Sequence, residues 1–427
     1  MDKNIIKEVI LDQREYLLPG NLISRDIQTE IVPFVGSGQV IILSGIRRCG
    51  KSVLLRSIRR EIENSDCYIN FDDDRLCSFT LEDFQFLLEV FIELFGESDH
   101  FFFDEIQNVE GWERFVRRLH DMGKTVFVTG SNARMLSREL GTHLTGRYIR
   151  FELFPFSFAE FISFCGGEKI CLQNLSTSVK ATAARYFCEW VKYGGIPDYL
   201  TLKNKEYLHF LFESVLYRDI IVRHSVQKER EIKELAFFLA SNIGKEVSFN
   251  SLRKMLGLGS AGTVSDYCSF FEDSYLFFFL KRYSASVKKQ VQYNKKVYCV
   301  DSALQSAVGF RFSEDEGRIL ENIVFLKLRR EGKDIFFHKE KHECDFVICD
   351  GNRVTAAFQV TKFLNPMNWD REVKGLCEAL VSYGLKAGII LTESMEEKHT
   401  VVFNETELQI NVLPVWKWIN IDNNACR

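Results

Sequence analysis

A short apolar stretch, QVIIL at residues 39–43, leads into the loop GIRRCGKS at residues 45–52 and then into a segment with helical spacing. The loop fits the pattern G-x-x-x-x-G-K-[ST]. A buried strand, a glycine loop and a helix in this order place backbone N–H groups and a helix N-terminus around one point, which favours bound phosphate. The feature therefore predicts a nucleotide-phosphate site in an α/β domain.

Each residue type in this loop has a chemical reason. Lys51 should reach the β- and γ-phosphates, and the hydroxyl of Ser52 should ligate Mg²⁺. A surface turn with an incidental lysine is the alternative interpretation. The residues predicted to surround the phosphates are Gly45, Ile46, Arg47, Arg48, Cys49, Gly50, Lys51, Ser52 and Val53.

A second stretch, HFFFDEIQ at residues 100–107, ends an apolar run with two carboxylates. This pattern predicts a buried parallel strand whose acids lie at its carboxyl end, the edge where α/β sheets bind ligands. Asp104 would then hold the Mg²⁺ shell, and Glu105 would act as the general base that polarises the attacking water. Without the glycine loop, the same pattern would indicate only the end of a strand.

A third stretch, KTVFVTGSN at residues 124–132, also ends in small polar residues. Either Ser131 or Asn132 could contact the γ-phosphate or the attacking water. Strand and helix patterns alternate between these stretches, with a strand in 66–74 and helices in 80–95 and 111–123. The alternation predicts a doubly wound parallel sheet.

These segments, together with LTGRYIRFELFPFSFAEF at residues 144–161, resemble AAA-type ATPases of bacteria and archaea that carry a C-terminal restriction-endonuclease-like domain of unknown role. The resemblance implies ATP and Mg²⁺ as ligands. It also implies that Arg147, just before the fifth strand, acts as an arginine finger toward the nucleotide of a neighbouring subunit. A salt-bridged surface arginine is the alternative. A finger would make hydrolysis depend on homo-oligomer formation.

The segment YGGIPDYL at residues 193–200 resembles the GxP motif in the lid region of related NTPases. There the motif lies near adenine and ribose, which would give Gly195 and Pro197 a role in nucleotide binding. A Gly-Gly-x-Pro turn between helices is the structural alternative.

Residues 228–300 read as three helices followed by a hairpin, a winged-helix layout. The third helix carries acidic residues, so base reading by this helix is disfavoured. The hairpin is basic and could contact DNA phosphates or a protein partner. Its cations are Lys281, Arg282, Lys288, Lys289, Lys295 and Lys296.

The C-terminal segment has a pattern related to a nuclease site, with Glu321 on a helix and Asp345 on a strand. Nucleases of the restriction-endonuclease type add a Glu/Asp-x-Lys pair to bind Mg²⁺ and activate water. Here Gln359 replaces the carboxylate and Thr361 replaces the lysine. Lys362 comes one residue later, where strand alternation would direct it to the opposite face. A degenerate, structural or partner-binding domain is favoured over active cleavage.

These patterns predict four domains, with boundaries at 1–160 for an AAA-type P-loop domain, 161–227 for a helical lid, 228–300 for the winged helix and 301–427 for the restriction-endonuclease-like domain. The predicted function is ATP hydrolysis that drives or switches an interaction of the C-terminal domains with DNA or a protein. An ATP-gated, metal-dependent DNA nuclease and a non-hydrolysing nucleotide switch are the alternatives.

Composition bears on the cellular location of the protein more than on the reaction that it carries out. The net charge is -4, so no overall basic excess points to nucleic acid. The N-terminal residues carry charges every few positions and have no apolar h-region, and no apolar cluster is long enough to span a bilayer. The 12 cysteines have no metal-ligand spacing. We expect a cytoplasmic protein with reduced thiols and no membrane association.

Overall fold

The computed structural model describes residues 1–16, 18–20, 22–62, 66–131, 144, 146–168, 170, 176–310 and 316–420. The chain forms two compact units. Unit 1 contains Met1–Glu160 together with Asp273–Tyr275, and unit 2 contains Phe161–Glu272 and Leu276–Arg427.

Unit 1 is a parallel sheet with flanking helices, as the alternating patterns predict. Its strands are β1 (Val40–Ser44), β2 (Tyr68–Asn70), β3 (His100–Asp104), β4 (Thr125–Gly130) and β5 (Tyr148–Glu152). Its helices are α1 (Lys3–Arg14), α2 (Gln28–Ile31), α3 (Lys51–Glu61), α4 (Phe84–Phe95) and α5 (Trp112–Asp121). The strand order is β2-β3-β4-β1-β5, and all pairs are parallel.

The sheet of unit 1 is built from apolar runs because both of its faces are covered. Every residue of β1 and β4 is buried, and the rings of Phe102 and Phe127 stack across neighbouring strands with centroids 4.8 Å apart. The strands are parallel, so the ends of β1, β3 and β4 reach the same edge of the sheet. That edge carries the glycine loop and the two acids, and this confirms the predicted α/β arrangement.

Unit 2 begins with helices. They are α6 (Phe158–Phe164, which starts in unit 1), α7 (Thr177–Tyr193), α8 (Pro197–Leu202), α9 (Lys205–Ser214), a π-helical segment (Val215–Val222), α10 (Glu229–Ser241), α11 (Phe249–Met255), α12 (Ala261–Asp273), α13 (Val287–Gln292), α14 (Ser302–Val308), α15 (Glu316–Arg330), α16 (Trp369–Tyr383) and α17 (Val415–Trp418). None of the helices in the described ranges is long and apolar enough to cross a membrane.

The described residues of unit 2 also form two sheets. The strands are β6 (Glu246–Val247), β7 (Phe277–Lys281), β8 (Lys295–Cys299), β9 (Asp334–Lys339), β10 (Glu343–Asp350), β11 (Arg353–Val360), β12 (Ala387–Thr392), β13 (Glu397–Phe403) and β14 (Thr406–Pro414). The first sheet is antiparallel with order β6-β8-β7. The second is mixed, with order β13-β14-β12-β11-β10-β9 and parallel pairing of β12 with both neighbours.

The basic hairpin differs from its prediction in two respects. The strands β7 and β8 are antiparallel, but the helix α13 lies between them instead of a simple turn. The six cations also differ in exposure. Lys288 and Lys289 on α13 are exposed, whereas Lys296 on β8 is buried at 1% exposure. Lys296 therefore cannot serve as a phosphate-contacting residue, because its ammonium is enclosed by carboxylates.

Candidate functional site

The loop between β1 and α3 is held in a tight curve by its glycines. A Cβ atom on Gly45 would lie 2.1 Å from the carbonyl oxygen of Leu153, so only glycine fits there. Gly50 caps α3 with a φ of 100°, a left-handed conformation that glycine adopts without strain. The ammonium of Lys51 donates to the carbonyl oxygens of Gly45 and Ile46, both at 3.1 Å. The lysine charge therefore lies within the curve of the loop.

The remaining loop residues divide into buried and accessible positions. Ile46 and Cys49 are fully buried beneath the loop, and burial raises the pKa of the Cys49 thiol. Arg47 and Val53 are half-buried, and Arg48 is exposed with a φ of 67°. The loop therefore rests on an apolar base and leaves its basic side chains toward the surface.

A buried guanidinium supports the loop from behind. Arg25 donates to the carbonyl oxygen of Cys49 at 2.9 Å and to that of Phe154 at 2.6 Å. It also pairs with Glu160 at 3.0 Å, and the side chains of both residues are less than 10% exposed. These contacts fix the loop carbonyl next to Gly50. The sequence patterns did not identify Arg25, because it lies on an irregular segment far from the loop.

Asp104 is fully enclosed, with no exposed surface. Its Oδ1 accepts from the Thr129 hydroxyl at 2.5 Å, and its Oδ2 accepts from the Tyr68 hydroxyl at 3.1 Å. The Ser52 hydroxyl lies close enough to Asp104 to lower the pKa of that carboxyl. Burial, followed by the charge of Glu105, raises the pKa of Asp104, and the three hydroxyl contacts oppose that increase. The structure thus brings together the two residues predicted to bind Mg²⁺.

Glu105 directly follows β3 and turns away from it. Its φ is 51°, which is uncommon for a residue with a side chain. Its N–H donates to the Thr129 hydroxyl oxygen at 2.9 Å, and its carboxylate accepts from the Gln107 amide at 2.5 Å. The carboxylate is half-buried, so it is fixed in direction yet open to a water molecule.

The predicted residues Ser131 and Asn132 follow β4, and this strand also contains Thr129, which the patterns did not identify. Ser131 is buried at 1% exposure directly after this strand, and Asn132 lies outside the described residues. Thr129, two residues earlier, is the one that contacts both acids. The sequence feature that could have indicated Thr129 is a polar residue in an otherwise apolar buried strand, next to Val128, which pairs with Phe103 on β3.

Arg147 occupies the predicted position immediately before β5. Its carbonyl oxygen accepts from the N–H of Val40, at the amino end of β1. The five residues of β1 separate that point from the phosphate loop by about 13 Å. The guanidinium lies 3.5 Å from Asp121 and is 35% exposed. Arg147 therefore points away from the phosphate loop of its own unit.

A polar cluster lies just before the glycine loop in unit 1. The hydroxyl of Tyr275 donates to Ser44 Oγ at 2.7 Å, and Arg150 Nε donates to the same oxygen at 3.1 Å. Arg150 also pairs with Glu152 at 2.8 Å. Tyr275 is 1% exposed. This cluster fixes the last residue of β1, from which the loop begins.

Gly195 and Pro197 lie in unit 2. The N–H of Gly195 donates to Asp301 Oδ2 at 2.7 Å, and Pro197 is the first residue of α8. A Cβ atom on Gly194 would lie 2.3 Å from Asp301 Oδ1, so the turn requires glycine there. Asp301 therefore holds this turn.

A second candidate site is a cavity of about 980 Å³ in unit 2. Glu321, Asp345 and Gln359, three residues of the nuclease pattern, line it together with Lys296. The Lys296 ammonium lies 2.9 Å from Glu321, 2.8 Å from Asp345 and 2.8 Å from Glu343. Burial alone would lower the pKa of Lys296, but these carboxylates raise it well above its usual value. Burial and the Asp345 charge raise the pKa of Glu321 to about 7.

The other residues of the nuclease pattern face different partners. The Gln359 amide accepts from the N–H of Asp345 at 3.2 Å and donates to Glu372 at 2.7 Å. Lys362 follows the end of β11 and pairs with Glu316. It is not among the cavity-lining residues. In the described part of the chain, no group of three or more His, Cys, Asp or Glu is arranged to hold a metal ion.

Comparisons with known protein families assign two regions of the chain. The model of an AAA domain matches residues 37–162, and the model of a domain of unknown function, DUF8612, matches residues 184–315. An uncharacterized protein of Methanocaldococcus jannaschii, MJ1544, is 34% identical over 438 residues, which cover 98% of this chain and 96% of that protein. An uncharacterized protein of Haemophilus influenzae is 32% identical over 335 residues, covering 74% of this chain and 81% of that protein.

Two solved structures are similar at low identity. The Orc1 protein of Aeropyrum pernix in complex with DNA has a TM-score of 0.31 at 12% identity, covering 71% of this chain and 95% of that chain. Cdc6p from Pyrobaculum aerophilum has a TM-score of 0.27 at 12% identity, covering 76% of this chain and 98% of that chain.

Proposed function

The chain belongs to the same protein family as MJ1544 of Methanocaldococcus jannaschii and contains an AAA domain, and we propose that it binds ATP with Mg²⁺ and hydrolyses it. One observation carries this proposal. Ser52 at the start of α3 lies close enough to Asp104 at the end of β3 to lower the pKa of that carboxyl, beside a lysine whose ammonium is held within the glycine loop. Two oxygen ligands and an ammonium at one sheet edge match the needs of a magnesium-bound triphosphate.

Each side chain of the site has a defined task in this proposal. Lys51 moves its hydrogen bonds from the loop carbonyls to the phosphate oxygens, which are better acceptors because they are charged. Ser52 and Asp104 would supply oxygen ligands to Mg²⁺, whose charge would offset the cost of burying a negative charge on Asp104. The glycine-loop N–H groups and the start of α3 bind the phosphate chain.

Glu105 is the proposed general base. Its contacts to Thr129 and Gln107 orient the carboxylate, and its half-exposed position allows it to hold a water molecule. Glu105 is in hydrogen-bond reach of Gln107, so the amide helps to set which carboxylate oxygen faces the water. Ser131, and Asn132 after it, remain candidates for contact with the γ-phosphate.

Arg147 is proposed to act on a neighbouring subunit. Its position at the amino end of β1 leaves it about 13 Å from its own loop, farther than an arginine side chain reaches. Its partial exposure and long contact with Asp121 leave the guanidinium accessible to another chain. Hydrolysis would then require a homo-oligomer.

We propose that the remaining regions form the interaction with DNA or a protein that ATP hydrolysis drives or switches. The boundaries 161–227, 228–300 and 301–427 for lid, winged helix and restriction-endonuclease-like domain stay proposals. The order α10, β6, α11, α12, β7, β8, with its three-stranded antiparallel sheet, supports a winged helix over 228–300. Gly195 and Pro197 keep their proposed nucleotide-binding role, although the N–H of Gly195 is engaged by Asp301.

The partner of these domains is proposed to be DNA or a protein that contacts the exposed face of the hairpin. Lys288 and Lys289 on α13 project to the surface beside the exposed apolar residues Val287 and Val291. Cationic and apolar side chains on one short helix can contact either phosphates or a protein surface.

Equilibrium binding of a fluorescent ATP analogue with Mg²⁺ tests the nucleotide site. Lys51→Ala should weaken binding by about 100-fold, because a charged hydrogen-bond donor is lost from the phosphates. Lys124→Ala is the matched control, since Lys124 pairs with Asp99 at the opposite edge of the sheet. Equal affinity of Lys51→Ala and the control would place the nucleotide elsewhere.

Single-turnover hydrolysis tests the base. Glu105→Gln should bind ATP normally and hydrolyse it about 100-fold or more slowly, because only the proton acceptor is lost. Glu110→Gln, an exposed position in the same loop, should retain the rate of the unmodified protein. A normal rate for Glu105→Gln would assign that residue to structure.

A further inference from the structure

The acidic cluster of the unit 2 cavity already contains a cation, the ammonium of Lys296. Three carboxylates from two elements surround it at 2.8 to 2.9 Å, namely Glu321 on α15 and Glu343 and Asp345 on β10. The side chain of Lys296 is 2% exposed. A surface ion pair places one carboxylate beside one solvent-exposed ammonium, whereas here three carboxylates surround one buried ammonium.

A divalent ion held by Glu321 and Asp345 would need the same place. Mg²⁺ binds oxygen at about 2.0–2.1 Å with near-octahedral geometry. An ammonium within 2.9 Å of an oxygen from each residue lies between them. A second positive centre there would meet strong repulsion in a buried site. The residues present therefore do not fit a bound metal ion.

The other acceptors of the cluster are also used by the protein. Asp345 Oδ2 accepts from the N–H of Val360 at 3.0 Å, and Glu321 Oε1 also accepts from the Tyr298 hydroxyl at 2.7 Å. The Gln359 amide is shared between Asp345 and Glu372. Inner-shell metal binding would have to break several of these bonds at once.

We propose that Lys296 is a built-in counter-ion that occupies the place of a divalent cation, so that this carboxylate cluster binds no metal ion. The lysine comes from β8 of the three-stranded sheet, and its partners belong to α15 and the six-stranded sheet. The ammonium thus joins the two sheets of unit 2 where a metal nuclease would hold its ion. The proposal is independent of ATP hydrolysis in unit 1.

The test is titration with Mn²⁺, followed by electron paramagnetic resonance, on the full chain without nucleotide. Lys296→Met keeps most of the side-chain volume and removes the charge, which leaves three carboxylates facing each other. This variant should gain one Mn²⁺ site per chain, at least about tenfold tighter than any at this place in the unmodified protein. The gained site should vanish in the double variant with Asp345→Asn.

Lys295→Met is the matched control, because Lys295 is the adjacent residue on β8 and lies over the Phe249 ring. It should bind Mn²⁺ as the unmodified protein does. A Mn²⁺ site in the unmodified protein that disappears in Asp345→Asn would overturn the proposal. Failure of a folded Lys296→Met to gain a site would also overturn it.

A second measurement uses only the unmodified protein and decides the matter if the variants fail to fold. Lysine acetylation is mapped by mass spectrometry with and without millimolar Mg²⁺. Lys296 should stay protected in both conditions, while the exposed Lys288 and Lys289 react. Reaction of Lys296 that appears only with Mg²⁺ would show displacement by the metal and would refute the proposal.

Discussion

Thr129→Val removes one hydroxyl group that connects the two acids of the nucleotide site. That hydroxyl donates to Asp104 at 2.5 Å and accepts the N–H of Glu105 at 2.9 Å. Valine keeps the β-branched shape and nearly the same volume, so packing in the buried strand should be preserved. The perturbation therefore isolates two hydrogen bonds.

The expected cost follows from those bonds. A hydrogen bond to a charged acceptor contributes about 1.5–3 kcal/mol to stability and a neutral one about 0.5–1.5 kcal/mol. Burial of a methyl group in place of a hydroxyl returns about 1 kcal/mol. The free energy of unfolding should therefore fall by about 1–3 kcal/mol. Hydrolysis should slow about tenfold or more, because the backbone of Glu105 loses its anchor.

Urea unfolding followed by circular dichroism and single-turnover ATP hydrolysis measure these two effects. Thr125→Val is the control, since Thr125 lies on the same strand at 4% exposure and makes no side-chain hydrogen bond among the described residues. ATP affinity should remain close to normal in both variants because Lys51 is untouched. Equal stability and equal rates for the two variants would refute the role given to Thr129.

Two further predictions concern assembly and pH. Arg147→Ala should still bind ATP but should lose the rise of specific activity with protein concentration that an intersubunit finger produces; concentration-independent activity in the unmodified protein would contradict it. Hydrogen bonds from the Arg75 side chain lower the pKa of Asp73 from 3.8 to about 2, despite an opposing effect of burial. The stabilisation by Asp73 is therefore present above pH 3.8 and lost as the pH falls toward 2, so Asp73→Asn should be less stable by about 1–2 kcal/mol at pH 7 and show a shallower loss of stability in acid urea titrations.

Local patterns predicted the parts of the nucleotide site that lie close together in sequence. The glycine loop and the start of α3 form one continuous segment, and Asp104 and Glu105 end a strand whose apolar run is unmistakable. The parallel sheet then brings both segments to one edge by a general rule of α/β folds. Nothing beyond periodicity and the position of the acids was needed for these residues.

Residues that act through tertiary contacts escaped prediction. Thr129, Tyr68 and Arg25 reach the site from three different segments, and the sequence patterns assigned a role to none of the three. Lys296 was assigned to a basic surface because its neighbours in sequence are basic. Its burial depends on the carboxylates of Glu321 and Asp345, and sequence spacing gives no measure of which distant acids will meet a given lysine.

The tripeptide Asp273–Tyr275 has a consequence for how the protein is made. It belongs to unit 1, and Tyr275 is buried there against Ser44, although more than a hundred residues of unit 2 precede it in the chain. During synthesis at about 5–20 residues per second, the ribosome needs roughly 6–23 s to travel from residue 160 to residue 275. During that interval the newly synthesised nucleotide-binding domain lacks Tyr275. Its completion thus waits for translation of much of the chain that follows.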